Sequence, residues 1–373
     1  MKKKEYLIVG AGLFGIVLAE QLSKAGNKVI IIDKRPHIGG NCFDKYDKET
    51  NILYHVYGPH IFHIEDENIL NYVKKFTNFN HYFHQVLTTY KDRIYQMPIN
   101  LETINSFYGL NLKPFEVEAF LKKEIEKEQI TTPKNMEEKV ISLIGKQLYE
   151  AFFKDYTSKQ WGKNPIDLPE NIVSRIPIRN NYYESYYNKS FHGIPQISFS
   201  SMFEEMINNE NIEIKLNCEY FENRKSFHQD SHVIYTGPID RYFNYKFGKL
   251  EYRALEFKTE YKNVDDFQGT SVINYPESQY KYTRICEPKH FYRENWNEYV
   301  KNKTLIIKEI PLEDDGTNPF YPINNDKNNK IAEKYRKEGA KTNNVSFGGR
   351  LGEYKYFDME DTIKSALTLF SEL

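Results

Sequence analysis

The opening of the chain constrains its fold more than any other stretch. The apolar run Tyr6-Leu7-Ile8-Val9 feeds Gly10, Gly12 and Gly15; an apolar helical pattern follows, and a second apolar run, Val29 to Ile32, closes on Asp33. This is the order of a strand, a glycine turn, a helix and a second strand. The first glycine makes the tight turn, the second lets the main chain approach a pyrophosphate at the helix N-terminus, and the third lets helix and strand pack closely. Asp33 is placed to accept a ribose hydroxyl. Gly39-Gly40-Asn41 follows closely, where flavoproteins often pass main chain beside a diphosphate, although alone it is only a turn. No second G-x-G-x-x-G occurs, so no separate nicotinamide-binding domain is expected. FAD is therefore expected rather than NAD, with electrons from a diffusible donor.

Near the other end, Gly348-Gly349-Arg350-Leu351-Gly352 precedes Tyr354, Tyr356, Asp358 and a helical stretch from Asp361, an arrangement that can cap a cofactor bound upstream. His232-Val233-Ile234-Tyr235-Thr236-Gly237-Pro238 reads as a strand returning to the same sheet. The expected fold is therefore α/β: a discontinuous Rossmann-like FAD-binding domain (1–80, 197–240 and 340–373) with an inserted helical bundle (98–172) and an antiparallel β-sheet domain. The sheet and cleft elements are expected from 81–97, 173–196 and 241–339. Tyr90 to Tyr95 reads as a strand ended by Met97-Pro98-Ile99-Asn100. Apolar spacing predicts a helix from Pro114 to Gln129 through Phe115, Ala119, Phe120 and Ile125. A longer one follows, capped by Asn135 and carrying Val140, Leu143, Ile144, Leu148 and Phe152 toward Trp161-Gly162. Prolines at 165, 169 and 177 argue for a loop, a candidate mobile lid near 163–178.

Composition excludes several function classes. With 373 residues, a net charge of −1 and 40% hydrophobic content, the chain can bury a large core and shows no preference for nucleic acid or acidic membrane. Met1-Lys2-Lys3-Lys4 before an apolar stretch resembles a secretory signal, but glycines of the nucleotide turn interrupt it. No run is long and apolar enough to span a bilayer. Three cysteines without metal spacing fit a reduced cytoplasmic setting. Arginine is scarce beside lysine, so an arginine in an aromatic, loop-rich setting is informative. His60 and His63 share a glycine-proline loop, but no Cys, Asp or Glu completes a plausible metal set with them, so no metal is expected. Phe152, Phe153 and Tyr156 share a helical face, which reads equally as a core stripe or as a wall on which a base stacks.

Four motifs go further: Tyr57-Gly58-Pro59-His60-Ile61-Phe62-His63, Leu148 to Phe153, Tyr156-Thr157 through Lys159-Gln160-Trp161-Gly162, and Gly349-Arg350-Leu351-Gly352. Together with Tyr235 to Pro238 and Tyr282-Thr283-Arg284, they resemble the bacterial UDP-galactopyranose mutases over essentially the whole chain. The resemblance implies a flavin-dependent isomerase that interconverts UDP-galactopyranose and UDP-galactofuranose when its FAD is reduced, through a covalent adduct between flavin N5 and sugar C1. It implies a role in surface polysaccharide synthesis and a homodimer. Uracil would lie against Phe152 and Tyr156, with Phe153 and Thr157 beside them, and the sugar near Trp161. Arg175 and Arg284 would clamp the diphosphate, helped by Tyr186, Tyr321 and Tyr356, with Asn274 in the substrate set. His60 and His63 would lie at the flavin ring. Glu309 matches a carboxylate near the active site. The FAD set is Gly10, Gly12, Leu13, Phe14, Gly15, Asp33, Lys34, Gly40, Asn41, His60, Arg350, Tyr356, Asp358, Met359 and Thr362. His84, assigned to the substrate, departs from the family pattern, which has asparagine there. The rival reading is an FAD-dependent oxidoreductase of the amine-oxidase type, which shares the split nucleotide domain; a non-catalytic sugar-nucleotide sensor is a third.

Overall fold

Two apolar runs too short for helices and buried on both faces form the centre of a parallel sheet, where strands are covered on each side. The computed structural model describes residues 4–170, 178–227 and 231–373. In it Glu5–Val9 pairs in parallel with Lys28–Ile32 on one side and with His232–Tyr235 on the other. Ile212–Lys215 and Val345–Phe347 complete five strands in the order 345–347, 232–235, 5–9, 28–32, 212–215. The nucleotide sheet therefore draws strands from three distant parts of the chain. Helix Leu13–Lys24 covers one face, packed against the C-terminal helix Met359–Glu372, whose Ile363 and Ala366 are fully buried.

A second sheet has seven strands, with Tyr252–Lys262 and Thr304–Glu313 as its long antiparallel pair and Tyr321–Pro322 at the edge beside Tyr252–Lys262. Arg284–Cys286, Val272–Asn274, Val86–Tyr90 and Arg93–Met97 extend one side. The sequence predicts an antiparallel sheet, but one junction is parallel: Ile273 faces Leu87. Those two strands come from remote segments, so no tight turn forces them to run in opposite directions. The sheet is accordingly mixed.

Local readings differ from the structure at four places, each for a local reason. Tyr90–Tyr95 is a hairpin rather than one strand, because Lys91 and Asp92 both take positive φ (48° and 60°) and turn the chain. Asn100 then starts an unanticipated helix, Leu101–Tyr108, by accepting from Thr103 N at 3.0 Å. The helix from Pro114 ends at Glu126, and its buried residues are Val117 and Leu121 while Phe115 is 83% exposed. The long helix expected after Asn135 is three: Met136–Ile144, Lys146–Phe152 and Lys154–Trp161. Gly145, at φ 80° and ψ 163°, breaks the first junction; Phe153, at φ −116°, bends the second. Asn135 does cap, accepting from Glu138 N at 2.9 Å. The bend at Phe153 matters for function, since it aims Tyr156 and Trp161 at the seven-stranded sheet.

Candidate active site

Glycines define the first half of the site. The strand Glu5–Val9 ends at Gly10, with φ at 115°, where a Cβ would fall 2.1 Å from Thr236 Oγ1. That hydroxyl donates to Val9 O at 2.7 Å and ties the returning strand to the turn. Gly12 caps helix Leu13–Lys24 without any side-chain hydrogen bond, so the first N–H groups point outward with the positive end of the helix dipole, as an anion requires. The turn Gly39-Gly40 presses against Gly12: Gly39 N donates to Ala11 O at 2.8 Å, and a Cβ on Gly40 would lie 2.8 Å from Gly12 Cα. Asp33 Oδ2 accepts from Ala11 N and Oδ1 from Arg35 N, both at 2.8 Å. A cavity of about 270 Å³ runs along this surface. The uncapped helix end, the glycine-only contacts and the acid at the end of the second strand fit a bound dinucleotide.

Of the predicted cofactor residues, Gly10, Gly12, Leu13, Phe14, Asp33, Lys34, Gly40, Asn41, His60, Arg350, Asp358, Met359 and Thr362 line that cavity. Gly15 does not; its Cβ would meet Gly10 O at 2.1 Å, so it serves the packing of helix on strand. Tyr356 also lies off the cavity, stacked on Tyr321 at 5.7 Å, with the Arg350 guanidinium 5.3 Å from each ring. Asp358 caps the last helix through Asp361 N at 2.8 Å. Sequence reasoning missed Arg35, Arg241 and the segments Cys218–Tyr220 and Gly316–Phe320, all of which line the cavity. Lys34 Nζ reaches Thr317 O at 2.9 Å and closes the last of these over the cradle. A basic residue after Asp33 was the one available signal for that contact.

His60 stands between the two halves. Its Nδ1 lies 2.8 Å from Gly58 O, and since a carbonyl only accepts, Nδ1 carries the proton and Nε2 keeps its lone pair. Burial, with His55 second, lowers its pKa to about 3, so the ring is neutral throughout the physiological range. Main-chain N–H of His60 donates to His55 Nδ1 at 2.9 Å, and the His55 ring lies flat on Phe291, 5.3 Å away at 3°. His63 stacks on Tyr187 at 3.9 Å, with its Nδ1 3.8 Å from Asp358 Oδ2. Burial outweighs that carboxylate and lowers the His63 pKa to about 4.

The second half is built from side chains. A cavity of about 140 Å³ is walled by Phe152, Phe153, Tyr156, Thr157 and Trp161 from the bent helices, and by Tyr186 and Asn274 opposite. Thr88, Met97, Met136 and Gln160 complete it; Gln160 stands in the quoted motif that ends at Gly162, and none of the four was assigned to the site from sequence. Arg284 Nη2 donates to Tyr156 Oη at 2.7 Å, while its Nε sits 3.5 Å from Glu309 Oε1. Sheet register puts these together: Arg284 faces Asn274 on one neighbouring strand and Glu309 on the other. Burial opposes the Arg284 charge, but Glu309 and the surrounding tyrosines outweigh it and raise its pKa well above the ordinary value. His84 is buried beside this group, its Nδ1 2.8 Å from Tyr82 Oη and its ring edge-on to Tyr186 at 5.4 Å. Tyr321 and Tyr356 stand at the far side, reached through Arg350. Arg175 and the rest of 171–177, within the lid expected near 163–178, lie outside the described residues; the described part includes a short 3-10 turn, Pro165–Asp167.

A profile of the UDP-galactopyranose mutase family matches residues 151–356, and one of NAD(P)-binding Rossmann-like domains matches residues 8–76. A Klebsiella pneumoniae protein named a probable UDP-galactopyranose mutase is 40% identical over 374 residues, covering 100% of this chain and 95% of its own. An Escherichia coli dTDP-fucopyranose mutase is 37% identical, covering 97% of this chain and 96% of its own. Among solved structures, a reduced UDP-galactopyranose mutase superposes with a TM-score of 0.76 at 13% identity, covering 100% of this chain and 94% of that one. At such identity the superposition speaks to the fold alone.

Proposed function

The chain belongs to the UDP-galactopyranose mutase family and is an isomerase of that kind, and on that premise we propose that it holds FAD in the glycine cradle and interconverts UDP-galactopyranose and UDP-galactofuranose. The observation that carries this reading is Arg284, which holds Tyr156 of the aromatic cavity on one side and Glu309 on the other, beside the Gly58-Pro59 turn that leads to His60. A nucleoside diphosphate sugar has that order of parts: a flat base, a dianion and a polyol. The base stacks against Phe152 and Tyr156; the diphosphate lies at Arg284, Tyr321 and Tyr356; the sugar lies near Trp161 and reaches toward His60. Arg175 is proposed as a second guanidinium on the diphosphate.

When bound and reduced, the flavin supplies a nucleophilic N5 toward sugar C1. The chain's own residues do the rest. Arg284 and the tyrosine hydroxyls stabilise the charge that gathers on the diphosphate as the C1 to oxygen bond breaks. Glu309 holds the guanidinium in place and ionised. Neutral His60, its Nδ1 committed to Gly58 O, keeps an acceptor free on its other face without adding charge. The ring walls of the aromatic cavity keep water from the opened sugar while it recloses through its 4-hydroxyl. The resemblance supports extending this reading to a cytoplasmic homodimer supplying galactofuranose for surface polysaccharide.

The test is anaerobic incubation of the purified protein, oxidised or dithionite-reduced, with UDP-galactofuranose, followed by chromatography of the sugar nucleotides. Conversion to UDP-galactopyranose in the reduced sample alone is expected. No conversion despite bound FAD would move the assignment to another sugar nucleotide, of which dTDP-fucopyranose is the one favoured by the E. coli relative. Oxygen consumption with net oxidation would favour the oxidase reading.

A further inference from the structure

Lys159 lies between Tyr156 and Trp161 on helix Lys154–Trp161, and its ammonium does not face solvent. Its Nζ donates to four main-chain carbonyls: Tyr275 O at 2.5 Å, Glu277 O at 2.9 Å, and Tyr280 O and Tyr282 O at 3.1 Å each. Three N–H bonds are thus spread over four acceptors, an arrangement suited to a cation at their centre. The carbonyls belong to one loop, which joins Val272–Asn274 to Arg284–Cys286 and is closed by Tyr275 N donating to Thr283 O at 2.8 Å. Asn274 and Arg284, at the two ends of that loop, both belong to the cleft. On the helix side, Arg253 Nε donates to Gln160 O at 3.0 Å and fixes the same turn to the long strand Tyr252–Lys262.

We propose that Lys159 is a positioning residue, whose ammonium clasps the 275–282 loop to the helix and thereby fixes the separation of Tyr156 from Arg284 for one nucleoside diphosphate to engage both. The proposal rests on the reading of the cleft as a UDP site. Its geometry explains why a lysine is turned onto main chain here rather than into water. Removing the ammonium leaves four carbonyls aimed at one point with no donor between them, and the loop must open to find water.

The clasp has a pH signature. Burial lowers the Lys159 pKa to about 8, with Asp155 on its own helix and Glu277 on the loop opposing the shift. The other titratable groups around it are Tyr275, Tyr280 and Tyr282 on the loop and Arg253 from the sheet, which donates to Lys159 O at 3.3 Å. Burial raises Tyr275 and Tyr282, the latter to about 12, so these phenols stay neutral where the lysine titrates. Above about pH 8 the clasp loses its charge.

The experiment compares the flavin-loaded wild type, Lys159→Met and Lys159→Arg. Amide hydrogen exchange across 275–283 at one pH is read beside the UDP dissociation constant from neutral to alkaline pH. Lys159→Met is expected to keep its flavin, exchange the loop faster and bind UDP about tenfold more weakly or worse. Wild-type affinity is expected to fall through the lysine titration, and that fall to be absent from Lys159→Arg, whose guanidinium stays charged. An unchanged loop in Lys159→Met, a faster loop with unchanged affinity, or a wild-type affinity flat across the titration would each overturn the proposal. The wild-type pH arm decides the matter even if the methionine variant does not fold. Wild type that fails to bind UDP at neutral pH overturns the reading of the cleft instead, and loop exchange then judges the clasp by itself.

Discussion

The nucleotide cradle, which His60 lines, and the substrate cleft are made of different material. In the cradle, shape comes from main chain brought close by the absence of side chains: Gly40 on Gly12, Gly10 on Thr236, and Gly348, whose Cβ would fall 2.1 Å from the Phe14 ring. In the cleft, shape comes from side chains delivered by two helices and three strands, with Arg284, Tyr156 and Glu309 meeting only through sheet register and the bend at Phe153. The cradle should therefore fail when atoms are added, and the cleft when charge is removed.

The sharpest break of the comparison is Gly40→Val. The new Cβ lands 2.8 Å from Gly12 Cα, main chain against main chain, and φ at 56° resists a β-branched residue. The two turns must separate, and the N–H groups meant for the pyrophosphate move with them. The expected outcome is a folded protein that purifies without flavin absorbance and is inactive in any redox state. Stoichiometric flavin in this variant would refute the idea that glycine contact sets the cradle.

Arg284→Met should do the opposite: flavin retained, turnover lost by about 100-fold or more, the scale for removing one donor from a developing anion. Stability should drop too, because Glu309, only 6% exposed, is left buried without its partner. The double variant Arg284→Met with Glu309→Gln separates the two effects. It should recover much of the lost melting temperature and none of the turnover; recovery of both would mean that the guanidinium serves the fold and not the diphosphate.

How much of each region was legible follows from the same contrast. A glycine that must sit against main chain is a local requirement, so the turn at Gly10 to Gly15, the acid at 33 and the returning strand before Thr236 could be read from spacing. Tyr156 and Arg284 are 128 positions apart, and no periodicity links them; only the family resemblance brought them together. Spacing even misled within the helices, where an unbroken pattern through Leu148 and Phe152 hid the positive φ of Gly145, and where Phe115 completed an apolar stripe that the fold leaves in solvent. Lys159 stood inside a quoted motif, but its role was hidden because a lysine-rich sequence makes any one lysine look like surface, and its partners are main-chain carbonyls more than 100 positions away.

Acid should act first on the 55–63 loop, whose His60 lines the cradle, and on His84 beside the cleft. Burial holds His55, His60 and His84 at pKa values of about 3 and His63 at about 4. In the unfolded chain the same rings take up protons near pH ~6.5. Between those limits the unfolded state binds more protons, so stability is fullest above pH ~6.5 and falls as pH drops below it, by up to about 1.4 kcal/mol per pH unit for each ring. Melting temperatures measured from neutral to mildly acid pH should fall steadily, with loop exchange around 55–63 rising first. A flat profile across that interval would show that the four rings are not held neutral by burial.

The smallest expected effect is the most discriminating for the cleft. His84→Asn restores the residue of the family pattern at a position held by Tyr82, whose hydroxyl also meets Ser271 Oγ at 2.6 Å. An asparagine amide is shorter than imidazole and gives up the ring contacts to Tyr186 and Tyr187, at 5.4 and 5.5 Å. Its partners among the described residues, Tyr82, Tyr186 and Tyr187, do not line the cradle. Flavin content should not change, kcat should hold within about twofold, and KM should shift by a few-fold, the pattern of altered uniform binding. One of the four acid-sensitive rings also disappears, so the slope of stability against pH should lessen by about one proton. If His84→Asn instead lowers kcat as far as Arg284→Met does, the imidazole acts on the reacting sugar, and the cleft is then specialised in chemistry at a position where its relatives carry an amide.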